Sequence, residues 1–134
     1  MDVQRVNPAA LYSGVPYDYA AVAPPGGLIF TAGACPLDAE GYVVASGDLG
    51  AQTRQTLDNL EIALGEAGSS LGHVLKTTVY VAAEDRSELV RVFDLVEERF
   101  APARPPSTLL GVRFLGYPDQ LVEIEAVALR PAEG

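Results

Sequence analysis

The chain contains few of the residues from which metal centres and disulfides are built. It has one cysteine, Cys35, and one histidine, His73, among 134 residues. A single cysteine excludes an internal disulfide. The same scarcity excludes a metal site made of several histidines and cysteines. We therefore expect the protein to work without a metal or any other cofactor.

Positive charge and long apolar runs are also scarce. Nine Lys and Arg residues stand against eighteen Asp and Glu residues, for a net charge of −9. A polyanion such as RNA, or an anionic membrane, would therefore meet net repulsion. No stretch is apolar enough to span a bilayer, and residues 1–5 lack the apolar segment of a signal peptide. These features predict a cytoplasmic protein that binds neither nucleic acid nor membrane.

The remaining composition is that of an ordinary globular domain. Hydrophobic residues make up 49% of the chain and charged residues 20%, which is typical of a folded protein and not of a disordered one. The length suits one domain. Because Pro and Gly only separate periodic segments, without repeats or linkers, we predict a single domain over residues 1–134.

Periodicity predicts the order of the secondary-structure elements. The predicted strands and helices are, in order, a strand at 17–23, a turn at 24–27, a strand at 28–32, a short strand at 42–44, a helix at 49–67, a strand at 74–81, a helix from about 86 to 100, and strands at 108–114 and 120–129. The order ββ(β)αβαββ is typical of an α+β sandwich with two helices on one face of a mixed sheet. Strands 28–32 and 120–129 are fairly apolar on both faces, so we expect other subunits to bury the open sheet face.

The first helix has clear start and stop signals. Asp48 is a predicted N-cap and Gly68 a predicted C-terminal stop. The buried side is predicted to consist of Leu57, Leu60, Leu64 and Ala67, and the remaining surface of Gln52, Arg54, Gln55, Asp58 and Glu61. The second helix begins with the spacing of a capping box at Asp85–Glu88.

The last strand carries the first candidate for chemistry. Alternation places Val122, Ile124, Ala126 and Ala128 on the core face. Glu123 and Glu125 then share the opposite face, roughly 7 Å apart. Two carboxylates on a half-buried face can position a water or accept a proton. The alternative is a solvated strand face, or charges that prevent edge aggregation.

The loop after the second helix carries another candidate. Arg104 lies among three prolines, and a guanidinium on a stiffened loop can clamp a carboxylate with two hydrogen bonds; the alternative is an ordinary surface arginine.

Two further candidates lie near the start of the chain. Tyr17 is predicted either to place its phenol at the mouth of a pocket or to pack at the start of a strand. Cys35 has no histidine nearby in sequence, which favours a buried, inert thiol over a nucleophile.

Several segments together resemble the RidA/YjgF family of reactive-intermediate deaminases, some of whose members are described as L-PSP endoribonucleases. The similarity covers nearly the whole chain. Its markers are Pro16-Tyr17, Ile29-Phe30-Thr31-Ala32-Gly33, Gly47-Asp48-Leu49, the run 52–60 (QTRQTLDNL), the run 74–81 (VLKTTVYV) and the run 122–128 (VEIEAVA). The markers are specific as an ordered set, although no single one is decisive.

This resemblance implies a fold, an assembly and a reaction. The fold is chorismate-mutase-like α+β, and the assembly is a homotrimer with clefts between adjacent subunits. An arginine in a Pro-Ala-Arg motif binds the carboxylate of a 2-imino acid. A water positioned by the first Glu of Glu-Ile-Glu hydrolyses the imine to a 2-keto acid and ammonia. Glu123 matches that Glu, and Tyr17 matches a tyrosine that lines the cleft.

The carboxylate-binding arginine is where this chain departs from the family. Pro102-Ala103-Arg104 looks like the motif, but Ser107 has the better interval to Glu123. Aligning Pro105-Pro106-Ser107-Thr108 with Pro-Ala-Arg-Ser needs one extra residue in the 116–119 turn and puts Ser107 in the arginine position. We favour this register, with Arg104 or Arg113 as possible compensating cations.

Two further cleft positions differ from the family. Ala32-Gly33-Ala34 replaces Ser-Gly-Gln, and Phe93 lies near a position where asparagine is common. The sequence thus leaves two functions open for a small-molecule cleft. One is hydrolytic deamination of small imines or enamines; the other is a binding protein, or a hydrolase of another substrate, without that activity. Ribonuclease activity is least favoured, since the acidic chain offers few phosphate contacts and one histidine.

Overall fold

The computed structural model describes residues 4–15 and 17–132. Pro16 of the Pro16-Tyr17 marker, and residues 1–3 of the segment compared with a signal peptide, lie outside the described residues. The strands are β1 (Gln4–Val6), β2 (Ala20–Val22), β3 (Leu28–Thr31), β4 (Val74–Ala82), β5 (Ser107–Val112) and β6 (Val122–Leu129). The helices are α1 (Leu49–Glu66), α2 (Arg86–Phe100) and a short 3-10 turn at Leu71–His73.

The strands form one mixed sheet in the order β1-β2-β3-β6-β4-β5. β4 and β5 pair in parallel, and the other neighbouring pairs are antiparallel. A parallel pair needs a crossover, which α2 supplies. Both helices contribute to one hydrophobic core with the inner face of the sheet, as Leu60, Val92 and Ile124 illustrate. The predicted α+β architecture with two helices on one face is therefore confirmed.

The predicted limits of α1 are confirmed by its caps. The Asp48 side chain accepts a hydrogen bond from the backbone N–H of Ala51 at 3.0 Å, which satisfies a donor that the helix leaves free. Gly68 follows the last turn with φ of +87°, a conformation that favours glycine. At α2, the Asp85 carboxylate caps the N–H groups of Ser87 and Glu88.

The observed strands differ from the predicted ones in detail. Residues 42–44 form no strand, because Val43 makes only an isolated bridge to Leu37. β2 is shorter than the predicted 17–23. β1 was not predicted, because a strand of three residues is too short to show an alternation of polar and apolar side chains. A register shift between Val74 and Lys76 interrupts the alternation of β4, so that Val74 lies in the core and Leu75 is 46% exposed.

Gln52 was predicted on the surface of α1 and is instead fully buried. Its Oε1 accepts a hydrogen bond from the N–H of Leu121 at 2.8 Å. Its Nε2 donates to the carbonyl oxygens of Asp119 at 2.9 Å and Ala45 at 3.4 Å. A buried side chain with polar partners is stable only while these bonds persist. Gln52 thus ties α1 to the segment that leads into β6.

Replacing Gln52 with leucine is expected to lower the free energy of unfolding by about 2–4 kcal/mol. The substitution deprives the Leu121 N–H and the Asp119 carbonyl of their partners in a partly buried region. Urea denaturation of both proteins measures the difference. Gln4→Leu is the matched control at an exposed position, and we expect it to change the stability little. Equal losses in the two variants would contradict the anchoring role.

The sheet face opposite the helices carries exposed apolar side chains. Leu28 and Phe30 on β3 are 40% and 54% exposed, and Leu110 on β5 is 43% exposed. Such a patch is common at protein interfaces, in keeping with the expected oligomer, which stays a prediction. In the described part of the chain, no helix has both the length and the hydropathy of a membrane span.

Candidate functional site

Glu123 lies on the open face of the sheet, near its centre. β6 runs between β3 and β4, and its alternation buries Val122, Ile124, Ala126 and Ala128 completely or nearly so. The predicted core face of this strand is confirmed. The Glu123 side chain on the other face is half-buried. A carboxylate placed there is held by a rigid strand yet remains accessible from solvent.

Two donors hold one oxygen of the Glu123 carboxylate. Gln120 Nε2 lies 3.1 Å from Glu123 Oε1, and Cys35 Sγ lies 3.3 Å from the same oxygen. Gln120 is itself fixed, because its Nε2 also donates to the Val122 carbonyl and its Oε1 accepts from the Tyr117 N–H. These bonds leave Oε2 as the oxygen available for chemistry. Sequence reasoning missed this role of Gln120, which was predicted to begin the last strand and instead precedes β6.

Gly33 gives the carboxylate the space it occupies. A Cβ at this position would collide with Glu123 Oε2 and lie 2.7 Å from Glu123 Cδ. Real Cβ atoms do not approach other atoms this closely, so only glycine is compatible with the observed carboxylate position. Ala32 precedes Gly33 and lines the small space beside Cys35.

Cys35 acts here as a hydrogen-bond donor. It is only 8% exposed, and burial, followed by the neighbouring Glu123 charge, raises the pKa of its thiol far above its usual value. A thiol that stays protonated is a poor nucleophile. The predicted burial of this thiol is therefore confirmed, its lack of reactivity stays a prediction, and its proton is available to Glu123.

Two tyrosines, Tyr17 and Tyr19, lie close to Cys35. The rings of Tyr17 and Tyr19 pack edge to face with centroids 5.8 Å apart. Desolvation, and then a hydrogen bond with Tyr117, raises the pKa of Tyr17, while desolvation raises the pKa of Tyr19 to about 12. Both phenols are protonated at neutral pH. A space of about 10 Å³ between Tyr17 and Cys35 is on the scale of one water.

A second group of predicted residues lines a larger cavity elsewhere. This cavity of about 430 Å³ lies between the C-terminal half of α2, the 101–106 loop and the start of β5, and its walls include Phe93, Arg104 and Ser107. Ser107 Oγ accepts a hydrogen bond from Thr77 Oγ1 at 2.6 Å. Because Thr77 is buried on the helix-facing side of β4, this cavity opens on the opposite side of the sheet from Glu123.

The structure thus divides the predicted site residues into two groups. Tyr17, Ala32, Gly33 and Glu123 form the carboxylate group, and Phe93, Arg104 and Ser107 form the cavity group. Thr108 belongs to neither, since it lies exposed and accepts a hydrogen bond from Lys76 Nζ at 2.6 Å.

The separation between the carboxylate group and the cavity group follows from the pairing of the strands. Glu123 pairs with Tyr80 on β4, whereas Ser107 pairs with Thr77. Three residues along a strand span roughly 10 Å, and two strand spacings add about as much across the sheet. Within one chain, Glu123 and the cavity group therefore cannot touch the same small molecule.

Glu125 is engaged differently from Glu123. Tyr80 Oη donates to Glu125 Oε1 at 2.6 Å, and this bond is the main cause that raises the pKa of the Tyr80 phenol. The two carboxylates that the sequence paired on one face are therefore held by different partners. Across residues 4–15 and 17–132, no cluster of three or more His, Cys, Asp or Glu side chains is arranged to hold a metal.

Comparison with known proteins finds relatives over most of the chain. The family model described as endoribonuclease L-PSP matches residues 7–130. A RutC family protein of Pyrococcus horikoshii is 36% identical over 115 residues, covering 86% of this chain and 87% of the relative. The 2-iminobutanoate/2-iminopropanoate deaminase of Salmonella typhimurium is 33% identical over 108 residues, covering 78% and 81%. The crystal structure of a Rid family protein of Yersinia pestis superposes with a TM-score of 0.85 at 26% identity, covering 96% and 99%.

Proposed function

The chain belongs to the endoribonuclease L-PSP family, the RidA/YjgF family that its sequence resembles, and from this we propose that it hydrolyses small reactive imines and enamines. The substrate is a 2-imino acid, and the products are a 2-keto acid and ammonia. A relative of the same family carries the name of this activity at 33% identity. We propose that the reaction takes place in a cleft between subunits.

The geometry of Glu123 is the observation that supports this proposal best. Oε1 is occupied by Gln120 and Cys35, while Oε2 is directed over Gly33. Among the ion pairs in the described residues, none involves Glu123. The carboxylate is therefore oriented and free to accept a proton from water, as a general base requires.

The proposed reaction balances without a cofactor. Water gives a proton to Glu123 as its oxygen forms a bond to C2 of the imine, and Glu123 passes that proton to the imine nitrogen as the C=N double bond becomes single. In the resulting carbinolamine, the hydroxyl proton moves to the nitrogen through Glu123 and the C2–N bond breaks, so the nitrogen leaves as ammonia and the oxygen becomes the keto group. An enamine substrate first gains a proton at C3 and loses one from its nitrogen to become the imine.

A complete site on this scheme requires two copies of the chain. Glu123 faces the open side of the sheet, and Arg104 lies at the cavity on the other side. We propose a homotrimer in which the carboxylate group of one subunit meets the cavity group of the next. The exposed Leu28, Phe30 and Leu110 supply apolar surface for that contact. Sedimentation should give three times the monomer mass, and a monomer would contradict both assembly and cleft.

Arg104 is the proposed carboxylate ligand. It lines the same cavity as Ser107, and in residues 4–15 and 17–132 no carboxylate lies within 4.0 Å of its guanidinium. An unpaired guanidinium can form two parallel bonds to a substrate carboxylate. Ser107 would add a neutral hydrogen bond. On this view the loop arginine compensates for the serine in the family's arginine position.

A coupled assay tests the proposal. An amino-acid oxidase generates 2-iminopropanoate or 2-iminobutanoate, and its decay is followed with and without the protein. We expect the wild type to accelerate decay and Arg104→Ala to raise KM by about 10- to 100-fold, the value of a charge-assisted hydrogen bond. Ser107→Ala should have a smaller effect. Arg113→Ala is the matched control at an exposed position away from the cavity.

The alternative function predicts a different result. Ser107 in the arginine position favours a small-molecule-binding protein, or a hydrolase of another substrate, without deaminase activity. No acceleration by the wild type would support that alternative. A rise of KM in Arg113→Ala, with Arg104→Ala unchanged, would move the carboxylate site to the other arginine. Single-stranded RNA serves as a further substrate, and its cleavage would support the ribonuclease hypothesis that the net charge of −9 disfavours.

A further inference from the structure

The cavity beside α2 is larger than a small imino acid needs. Its volume of about 430 Å³ lies within the range of roughly 300–1,000 Å³ that is typical of ligand pockets. A 2-imino acid of three or four carbons would fill only part of this space. The unfilled remainder is therefore available to a longer substrate side chain.

The walls that surround this remaining space are largely apolar. Phe93, Val96 and Phe100 lie on one side of α2 at intervals of three and four residues, which places them on one helical stripe. Val96 and Phe100 are 3% and 4% exposed, whereas Phe93 is only partly buried and packs against the core. Part of the Phe93 ring is therefore open to a ligand. Ala103 adds further apolar surface from the loop.

The polar groups of the cavity are few and lie on its loop and strand side. Among the described residues, Arg104 is the only cation on its walls. Thr77 Oγ1 donates a hydrogen bond to Ser107 Oγ. The Ser107 hydroxyl can therefore donate its own hydrogen bond to a ligand. Glu97, the one acid on the walls within residues 4–15 and 17–132, is exposed on α2. One end of the cavity therefore suits a carboxylate and the other an apolar group.

We propose that this cavity is a side-chain subsite for 2-imino acids with bulky apolar side chains, aromatic or branched. The inference rests on the proposed function and specifies its substrate class. An aromatic side chain buries about 150–250 Å² of surface when enclosed, and Phe93 and Phe100 offer the ring contacts that such a side chain prefers. Phe93 is then a specificity-determining residue for this chain.

The first test compares imines that differ only in their side chain. An L-amino-acid oxidase generates the imino acids of alanine, leucine and phenylalanine, and kcat/KM is measured for each. We expect the phenylalanine-derived imine to exceed the alanine-derived imine by tenfold or more. Ala103→Leu fills the cavity from the loop and should reduce that ratio at least tenfold. Ala10→Leu, an exposed alanine that lines no part of this cavity, should leave the ratio unchanged.

A binding measurement separates this inference from the proposed function. Calorimetry with 3-phenylpropanoate and propanoate compares a bulky and a small carboxylate that do not react. We expect tenfold tighter binding of 3-phenylpropanoate to the wild type and loss of that preference in Ala103→Leu. Equal affinities would overturn the subsite, even if every imine is hydrolysed. Selective binding of 3-phenylpropanoate without hydrolysis of any imine would support the subsite and contradict the deaminase activity.

Discussion

Replacing Glu123 with glutamine is expected to lower kcat for imine hydrolysis by about 10²–10⁴-fold, the usual contribution of a general base. Glutamine has nearly the same shape, but it cannot accept a proton from water. Gln120 and Cys35 can still donate to its amide oxygen, so the side chain should keep its place. KM should change little, because the substrate carboxylate is bound at the Arg104 side.

The matched control lies on the same strand and the same face. Glu125→Gln removes a carboxylate that Tyr80 already occupies, and we expect kcat to change by less than about threefold. Steady-state kinetics of the oxidase-generated imine measure both variants, and circular dichroism checks that both are folded. Equal losses would show that negative charge on this face matters more than proton acceptance. Full activity in Glu123→Gln would remove the general base from the mechanism.

Replacing Gly33 with alanine is expected to reduce kcat by about two orders of magnitude with little loss of stability. The new Cβ would occupy the place of Glu123 Oε2, so the carboxylate must swing away from Gln120 and Cys35. The collision involves Cγ, Cδ and Oε2 of the Glu123 side chain, which can rotate away, and the Gly33 φ lies outside the left-handed region that disfavours alanine. A misplaced base loses most of the benefit of positioning.

Gly65→Ala is the control for this substitution. Gly65 lies within α1, and a Cβ there would meet no atom within 4 Å. Alanine at such a helical position should stabilise the protein by up to about 1 kcal/mol without affecting kcat. Kinetics and urea denaturation are measured on both variants. A fully active Gly33→Ala protein would show that the observed carboxylate position is not the working one.

The sequence was informative wherever a long periodic pattern carried the signal. Both helices, their caps and the buried face of β6 were predicted from spacing alone. Gln52 was misplaced because its partners lie on a distant backbone segment that no local pattern reveals. Gln120 was missed for a related reason, since its role depends on a turn that returns its side chain toward the strand it precedes. The three residues of β1 are too few to show a period.

The sequence identified the candidate functional residues, but it did not predict their positions relative to one another. Residue patterns alone singled out Glu123, Arg104 and Tyr17, and the family resemblance added roles for Glu123 and Tyr17 and the choice between Arg104 and Ser107. It could not show that Arg104 and Ser107 line one cavity, because that depends on the path of the loop after α2. Nor could the sequence show that Glu123 faces away from that cavity, since this follows from the sheet order.

The two faces of the sheet also bear on the genetics of the proposed assembly. If each cleft takes Glu123 from one copy and Arg104 from the next, every subunit participates in two clefts through different surfaces. An allele damaged at Glu123 and another damaged at Arg104 then complement each other in a cell that expresses both. Mixed assemblies contain some clefts in which both contributing faces are intact. Two recessive lesions in this one short gene would behave as though they lay in separate genes.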